Sequence, residues 1–336
     1  MAKLIKDGTI GLDTFPSVSS FAAAVGKMEG EGPLGNCFDY ISEDVTLGEN
    51  SWEKSESKLQ QLAFGNALTK GGFSEKNIDV LFAGDLLNQC VSSSYGARDT
   101  EIPFMGLFGA CSTMAEGLLL AALFVDSGMA VNAAAVTSSH FCSAERQFRL
   151  PVNYGGQRTP TAQWTATAAG CAIVSPHAQP PYVKSVTMGK IKDMGITDAN
   201  NMGAAMATAA YDTISRHLAN TGQEIKDFDL ILTGDLGTVG SDILAELFLK
   251  DKVNISGRHN DCGIMLYDPE KQDVHAGGSG CGCSASVLCG YILQEIQQKK
   301  LKNVLFAATG ALMSPTIIQQ GESIPGISHA VQLSAE

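Results

Sequence analysis

The stretch Asp79-Val-Leu-Phe-Ala-Gly-Asp-Leu86 decides the fold, because the second half of the chain repeats it as Asp229-Leu-Ile-Leu-Thr-Gly-Asp-Leu236. Each stretch contains a short apolar run typical of a buried strand, followed by Gly-Asp-Leu, where a helix can begin. Each also follows a helix-like segment, at 51–70 in the first half and at 203–220 in the second. This agreement indicates a duplicated unit.

The repeat continues downstream with similar spacing. Gly109-Ala-Cys-Ser-Thr113 leads into the apolar run 118–124 and a strand-like Ala133-Ala-Ala-Val136. Gly282-Cys-Ser-Ala285 leads into 287–296 and a strand-like Val304-Leu-Phe-Ala-Ala308. Alternating strands and helices predict an α/β protein with a mainly parallel sheet in each half. Two pseudo-symmetric βαβαβ halves, 1–178 and 179–336, would stack into five α/β/α/β/α layers.

The stretch 141–179 is rich in Gly, Thr, Pro and Arg and is less regular than its surroundings. A loop that long inside a compact domain is usually functional, and we expect this one to cover a pocket.

Composition excludes several classes of protein. The 336 residues are 44% hydrophobic, which suits a globular chain with a large core, and the formal net charge of -12 argues against nucleic-acid binding. No cluster of Lys and Arg predicts direct attraction to anionic lipid. The amino terminus lacks the pattern of a signal peptide, and the apolar run 118–125 is too short to cross a membrane.

The nine cysteines show no paired C-x-x-C spacing, so the sequence predicts no zinc site. Most of them are expected to be buried free thiols in a reducing compartment. Cys111 is the exception, because it precedes an apolar helix, and a helix amino terminus favours a thiolate.

A cysteine in this position within two fused repeats resembles the thiolase-like condensing enzymes, whose nucleophile turn is similar to Gly109–Thr113. The resemblance to the stage V sporulation protein AD family is closer and runs through nearly the whole chain. Its matching strings are Gly30–Gly35, Ala83–Gln89, Phe108–Thr113, Ser138–His140, Ala144–Arg149, Tyr154–Gly156, Asp193–Asp198, Asp261–Gly263, His275–Cys281 and Ala308–Thr316.

This resemblance implies a role in moving dipicolinic acid, with calcium, into the forespore. It also implies membrane partners encoded by the stage V sporulation A operon, a peripheral position at the inner spore membrane, and a homodimer formed through the first-half sheet. The resemblance implies no cofactor, and calcium would arrive already chelated by dipicolinate.

Condensing enzymes of this type pair their cysteine with a histidine and an asparagine. The histidine position falls in Thr233–Leu236, and the asparagine position falls in Gly280–Cys283 or at Gly278–Ser279; neither supplies the required residue. Gly310 resembles the glycine of the family's oxyanion hole. We therefore expect a binding protein without catalytic residues.

Several residues are candidates for ligand binding. The helix amino terminus at Cys111 supplies one anion site, and Arg146 and Arg149, at helical spacing, supply a second. His140 ends a strand and could reach the same cavity, as could Cys281. The alternatives are a solvated Arg pair, bonded to Glu145, and a structural histidine.

Asp85 and Asp235 follow matching strands in the two halves. They could converge on a cation such as calcium. The favoured interpretation is that both are helix caps, and no resident metal is expected.

Two other functions compete with binding. An acyltransferase or thioester hydrolase would use Cys111 as nucleophile and His140 or His275 as base. A scaffold would hold membrane partners and keep only a vestigial pocket.

Overall fold

The computed structural model describes residues 2–148 and 158–336. Each half contributes five strands to a sheet of the same order. The strands are β1 (Lys3–Lys6), β2 (Thr9–Gly11), β3 (Ser17–Gly26), β4 (Tyr40–Ser42), β5 (Val80–Gly84), β6 (Phe104–Leu107), β7 (Ala133–Ser139), β8 (Trp164–Thr165), β9 (Ala168–Ser175), β10 (Tyr182–Thr187), β11 (Leu230–Gly234), β12 (His259–Asp261), β13 (Gly278–Ser279), β14 (Asn303–Ala311) and β15 (Gly326–Ser334).

The first half runs in the order β6-β5-β7-β9-β3, and the second in the equivalent order β12-β11-β14-β15-β10. The two sheets join edge to edge where Tyr182 of β10 pairs with Ser17 of β3. Each half contains two parallel pairs, which are β5–β6 and β5–β7 in the first and β11–β12 and β11–β14 in the second. Each half also contains two antiparallel pairs, which are β7–β9 and β3–β9 in the first and β14–β15 and β10–β15 in the second. The sheets are therefore mixed, and the prediction of a mainly parallel sheet was wrong.

Helices complete five layers. They are α1 (Lys27–Gly30), α2 (Trp52–Gly71), α3 (Val91–Ala97), α4 (Thr113–Asp126), α5 (Phe141–Phe148), α6 (Met202–Thr221), α7 (Gly237–Lys250), α8 (Cys262–Met265), α9 (Cys281–Val287), α10 (Leu293–Gln297) and α11 (Pro315–Gln319). Helix α4 contacts strands of both sheets, as does α9, so these two form the middle layer. Helix α2 covers the first sheet from outside and α6 covers the second. The predicted layering is confirmed.

The central strands contain many small residues, which lets the middle helices approach both sheets closely. β7 begins Ala133-Ala-Ala-Val136, and β3 contains Ala22-Ala-Ala24; all are buried. Burial of this kind provides the main stabilisation of the fold.

The described residues of the stretch 141–179, which are 141–148 and 158–179, are more regular than predicted. They contain α5 and β8, and Ala168–Ser175 forms β9 near the middle of the first sheet. The sequence did not predict β9, because its alanines and its glycine have low β-propensity. Packing against neighbouring elements stabilises these residues in a strand. The predicted boundary at 178/179 lies in the turn between β9 and β10.

The described residues contain no helix long and apolar enough to cross a membrane. All nine cysteines lie within the described ranges and are free thiols, and Cys111, Cys171, Cys262, Cys281, Cys283 and Cys289 are buried.

Candidate functional site

A cavity of about 70 Å³ opens beside Cys111, with space for several water molecules. Loops at the ends of β5, β6, β13 and β14 form its inner part, and α5 forms one wall. The lining residues are Leu86, Phe108, Ala110, Cys111, Ala144, Glu145, Phe148, Thr165, Ala199, Asn200, Met202, Ser279, Gly280, Ala311 and Met313.

A tight turn presents Cys111 to this cavity. Ala110 adopts a left-handed φ of 48°, and the N–H groups of Ser112 and Thr113 donate to the carbonyls of Gly109 and Ala110 at 3.0 and 3.2 Å. Gly310 packs directly on the turn, since a Cβ there would lie 2.3 Å from the Gly109 oxygen. The turn therefore requires glycine at 310.

The thiol of Cys111 is not activated in this structure. Burial raises the pKa of Cys111 well above its usual value, and any negative charge on Asp235 would raise it further. The N–H of Gly280 acts in the opposite direction but does not compensate. Glu116 in the first turn of α4 also adds a carboxyl at the helix amino terminus. The structure thus opposes the expectation of a thiolate, because desolvation outweighs the helix dipole.

Asp235 follows β11 and is fully buried. Neither of its carboxyl oxygens has a hydrogen-bond partner within the described part of the chain. Burial, and then the nearby Asp261, raise the pKa of Asp235 well above its usual value, with a small opposing effect of the Cys283 thiol. The protonated, neutral form of Asp235 is therefore favoured, because an unpaired buried carboxylate is strongly disfavoured.

The two aspartates that were predicted to be helix caps differ in the structure: Asp85 is a cap and Asp235 is not. Asp85 accepts hydrogen bonds from the N–H of Leu87 at 2.8 Å and from the N–H and hydroxyl of Ser93, in the first turn of α3, at 2.8 and 2.6 Å. At the start of α7, however, Asp261 accepts from the N–H groups of Leu236 and Gly237, both at 3.0 Å. The cap prediction for Asp235 was therefore wrong, since an aspartate of a neighbouring strand fills that role.

Cys281 lies next to the cavity and packs in one apolar cluster with Cys111, Leu86 and Ala144. Its thiol donates to the carbonyl of Ser138 at 3.0 Å. Burial raises the pKa of Cys281 well above its usual value. It contributes packing and a neutral thiol behind the cavity wall.

His140 is buried, and both of its ring nitrogens bond to backbone groups instead of facing the cavity. One ring nitrogen, Nε2, lies 2.8 Å from the Val45 carbonyl, and Nδ1 accepts the N–H of Cys142 at 3.2 Å. Burial lowers the pKa of His140, so the ring is neutral. His275, the other predicted base, bonds to Thr159 and Asp273 instead.

Arg146 also lies away from the cavity lining. Arg146 forms an ion pair with Glu53, and its guanidinium lies 5.2 Å from the Trp52 ring centroid. Its side chain is 48% exposed, which matches the surface alternative. Arg149 lies outside the described residues.

The described lining contains no Lys, Arg or His, and Glu145 is its charged residue. Within residues 2–148 and 158–336, no three His, Cys, Asp or Glu side chains are placed to hold a metal ion. The cavity therefore offers apolar walls, the hydroxyls of Thr165 and Ser279, the amide of Asn200 and a neutral thiol. Such a set can bind a flat, formally neutral ligand.

The sequence reasoning missed much of the lining. Phe108 and Met313 stand inside the quoted strings 108–113 and 308–316, so those strings carried a signal for them. Asn200 and Met202 carried none, because they lie just before and at the start of α6 in the other half and reach the cavity through tertiary packing.

The fold is similar to that of known condensing enzymes. 3-Oxoacyl-[acyl-carrier-protein] synthase III from Aquifex aeolicus VF5 matches with a TM-score of 0.58 and 14% identity over 96% of this chain and 100% of that one. Cerulenin-bound OleA from Xanthomonas campestris matches with a TM-score of 0.61 and 12% identity over 96% and 97%. At such identities the likeness shows the thiolase-like fold and nothing about activity.

Sequence comparison is more specific. Residues 6–334 match the model of stage V sporulation protein AD. The protein of that name from Bacillus subtilis (strain 168) is 46% identical over 314 residues, which cover 94% of this chain and 93% of the relative. This chain belongs to the stage V sporulation protein AD family, a family of sporulation proteins built here on a thiolase-like fold.

Proposed function

We propose that this protein binds dipicolinic acid as its calcium chelate in the cavity beside Cys111 and does not catalyse a condensation. In this role it serves uptake of dipicolinic acid into the developing spore, at the inner spore membrane, with membrane proteins of the stage V sporulation A operon. Family membership supports the sporulation role, and the character of the cavity supports binding.

One observation carries the proposal: Cys111 lines the cavity as a neutral thiol, and no base lies beside it among the described residues. A nucleophilic cysteine needs a base or a lowered pKa. Here burial raises the pKa of Cys111, and Asp235 follows β11 where the resemblance places a histidine. A cavity that is present without a catalytic base or an activated thiol is better suited to binding a ligand than to catalysis.

The cavity's charge supports the chelate over the free dianion. Free dipicolinate carries two carboxylates, whereas the described lining contains no Lys, Arg or His. Calcium neutralises the ligand and accepts further oxygen ligands from water or protein. The rings of Phe108 and Phe148 offer apolar surface to a flat pyridine.

Calorimetric titration with dipicolinate, with and without calcium, tests the proposal. We expect saturable binding that is strengthened by calcium and absent for benzene-1,3-dicarboxylate, which has a similar shape but lacks the ring nitrogen. Ala311→Phe should abolish binding by filling the cavity, with an unchanged circular dichroism spectrum. If neither the dianion nor the chelate binds saturably, the proposal fails.

The acyltransferase alternative has weaker support, because His140 and His275 are held elsewhere. Incubation with acyl thioesters followed by mass spectrometry separates the two functions. A stable acyl adduct on Cys111 would favour the enzyme.

We also propose a homodimer formed at the edge strand β6. This strand pairs with β5 on one side only, and its Phe104 and Met105 are 38% and 46% exposed. An unpaired apolar edge readily accepts another strand, and a second copy offers an identical one.

A further inference from the structure

Two acids are buried together behind the cavity. Glu56 of α2 is 1% exposed and Asp85 is fully buried. The Gln60 amide connects them by donating to the hydroxyls of Ser93 and Ser138 at 3.1 and 3.2 Å. The Ser93 hydroxyl reaches Asp85 at 2.6 Å, and the Ser138 hydroxyl reaches Glu56 at 3.2 Å. The pair thus belongs to one buried hydrogen-bond network.

Elements packed around this network provide no buried cation among the described residues. Their charged or titratable groups include Asp44, Glu53, Lys54, Lys58, the exposed Lys70, Cys90, Tyr95, His140, Cys142, Glu145, Arg146, Cys171 and Cys281. Lys54 and Lys58 are exposed, and Arg146 pairs with Glu53 at the surface. His140 is neutral because burial lowers its pKa. Two negative charges in this place would therefore repel each other without compensation.

One proton relieves this repulsion, and the hydrogen bonds place it on Glu56. Asp85 accepts from two backbone N–H groups and one hydroxyl, which favour its charged form. Glu56 accepts from the hydroxyls of Ser138 and Ser143, and no backbone N–H donor to it is found among the described residues. Burial, and then the charge of Asp85, raise the pKa of Glu56 to about 8.

The pair is connected to two walls of the cavity. The Ser143 hydroxyl in α5 bonds to Glu56 at 2.6 Å, and the next residues of that helix, with Phe148, line the cavity. At the other end of the network, Asp85 immediately precedes Leu86 in the chain, and Leu86 also lines the cavity. Glu56 is thus a positioning residue that contacts no ligand.

We propose that Glu56 holds one proton beside the charged Asp85, and that this proton keeps α5 and Leu86 in place around the cavity, so that ligand binding weakens in alkaline solution when the proton leaves. The inference rests on the proposed function, whose ligand it uses. Ionised Glu56 would face Asp85 without a counter-ion, and α5 could relieve the repulsion by moving outward with Ser143.

Titration with calcium dipicolinate at pH 7, 8 and 9 tests the inference on the full-length protein. Wild-type affinity should fall by up to about tenfold between pH 8 and pH 9, as loss of one proton requires. Glu56→Gln, which imitates the protonated acid, should bind at pH 9 as it does at pH 7. Glu53→Gln on the same helix should follow the wild-type profile. Equal pH dependence in wild type and Glu56→Gln would overturn the inference.

Two further measurements keep the test decisive. If Glu56→Gln does not fold, Ser143→Ala should weaken binding at pH 7 and remove the pH dependence; a wild-type profile in that variant overturns the inference. If the wild type binds at no pH, the proposed function fails, and hydrogen exchange then decides the inference separately. Amides of α5 should lose protection between pH 7 and pH 9, after correction for intrinsic exchange, and unchanged protection would overturn it.

Discussion

Asp235 follows β11 as Asp85 follows β5, but only the Asp85 carboxylate is surrounded by hydrogen-bond donors. The difference arises because Asp261 accepts the N–H groups at the start of α7. Asp235 is thereby left as a neutral acid near Cys111, whereas Asp85 stabilises the first turn of α3.

Asn should be tolerated at 235 and not at 85. Asp85→Asn should lower the free energy of unfolding by about 1–3 kcal/mol, because an amide cannot accept the same set of donors. Asp235→Asn should be at least as stable as wild type at pH 7. A carboxyl whose folded pKa is raised costs stability above its unfolded pKa, and the amide removes that cost. Urea denaturation measures both; equal losses would contradict the assignment.

Cys111 should react slowly with iodoacetamide despite facing the cavity. Only the thiolate is nucleophilic, and burial raises the pKa of Cys111. At pH 7.5 we expect labelling at least about tenfold slower than a free thiol of ordinary pKa. Peptide mass spectrometry measures the rate, with the less buried Cys142 as internal comparison. Preferential labelling of Cys111 would indicate an activated nucleophile.

Arg146→Ala should leave ligand affinity within about threefold of wild type, because Arg146 does not line the cavity. Loss of its exposed pair with Glu53 should cost less than about 1 kcal/mol of stability. Calorimetry and urea denaturation provide the two measurements. A loss of affinity above tenfold would place the arginine in the binding site.

Buried histidines should make the protein sensitive to acid. Burial lowers the pKa of His217 to about 4, and the same cause lowers the pKa of His259 and His329 to about 4. Their neutral forms contribute stability above the unfolded pKa near 6.5, and this contribution is lost as pH falls toward 4. For His217 the loss is on the order of 3 kcal/mol.

His217→Gln should accordingly reduce the decline in unfolding free energy between pH 6.5 and pH 4. It should also lower stability somewhat at pH 7, where His217 bonds to Thr187 at 2.9 Å. The exposed His177→Gln is the control and should keep the wild-type pH dependence. Identical pH profiles for both variants would refute the role of burial.

Met105→Asp should produce a monomer, since it places a charge on the apolar edge of β6. Met129→Asp, at an exposed position (66%) in the loop after α4, should remain dimeric. Analytical ultracentrifugation distinguishes the two states. A dimer that persists in Met105→Asp would move the interface elsewhere.

The sequence by itself determined the architecture, the family and the point around which the site forms. The repeated strand at 79–86 and 229–236 implied two equivalent halves, and the Gly109–Thr113 turn placed Cys111 at the start of a central helix. Such features are local: apolar periodicity, turn residues and spacing all lie within a few residues of one another.

Only the tertiary structure decided what the polar residues do. His140 bonds to the carbonyl of Val45, 95 residues away, and Asp261 takes the cap position of Asp235 from a neighbouring strand. The alanine-rich β9 forms a strand because β3 and β7 pair with it on its two sides. A side chain's partners and its desolvation depend on which distant segments pack around it, and these contacts set whether an acid, a thiol or a histidine is charged.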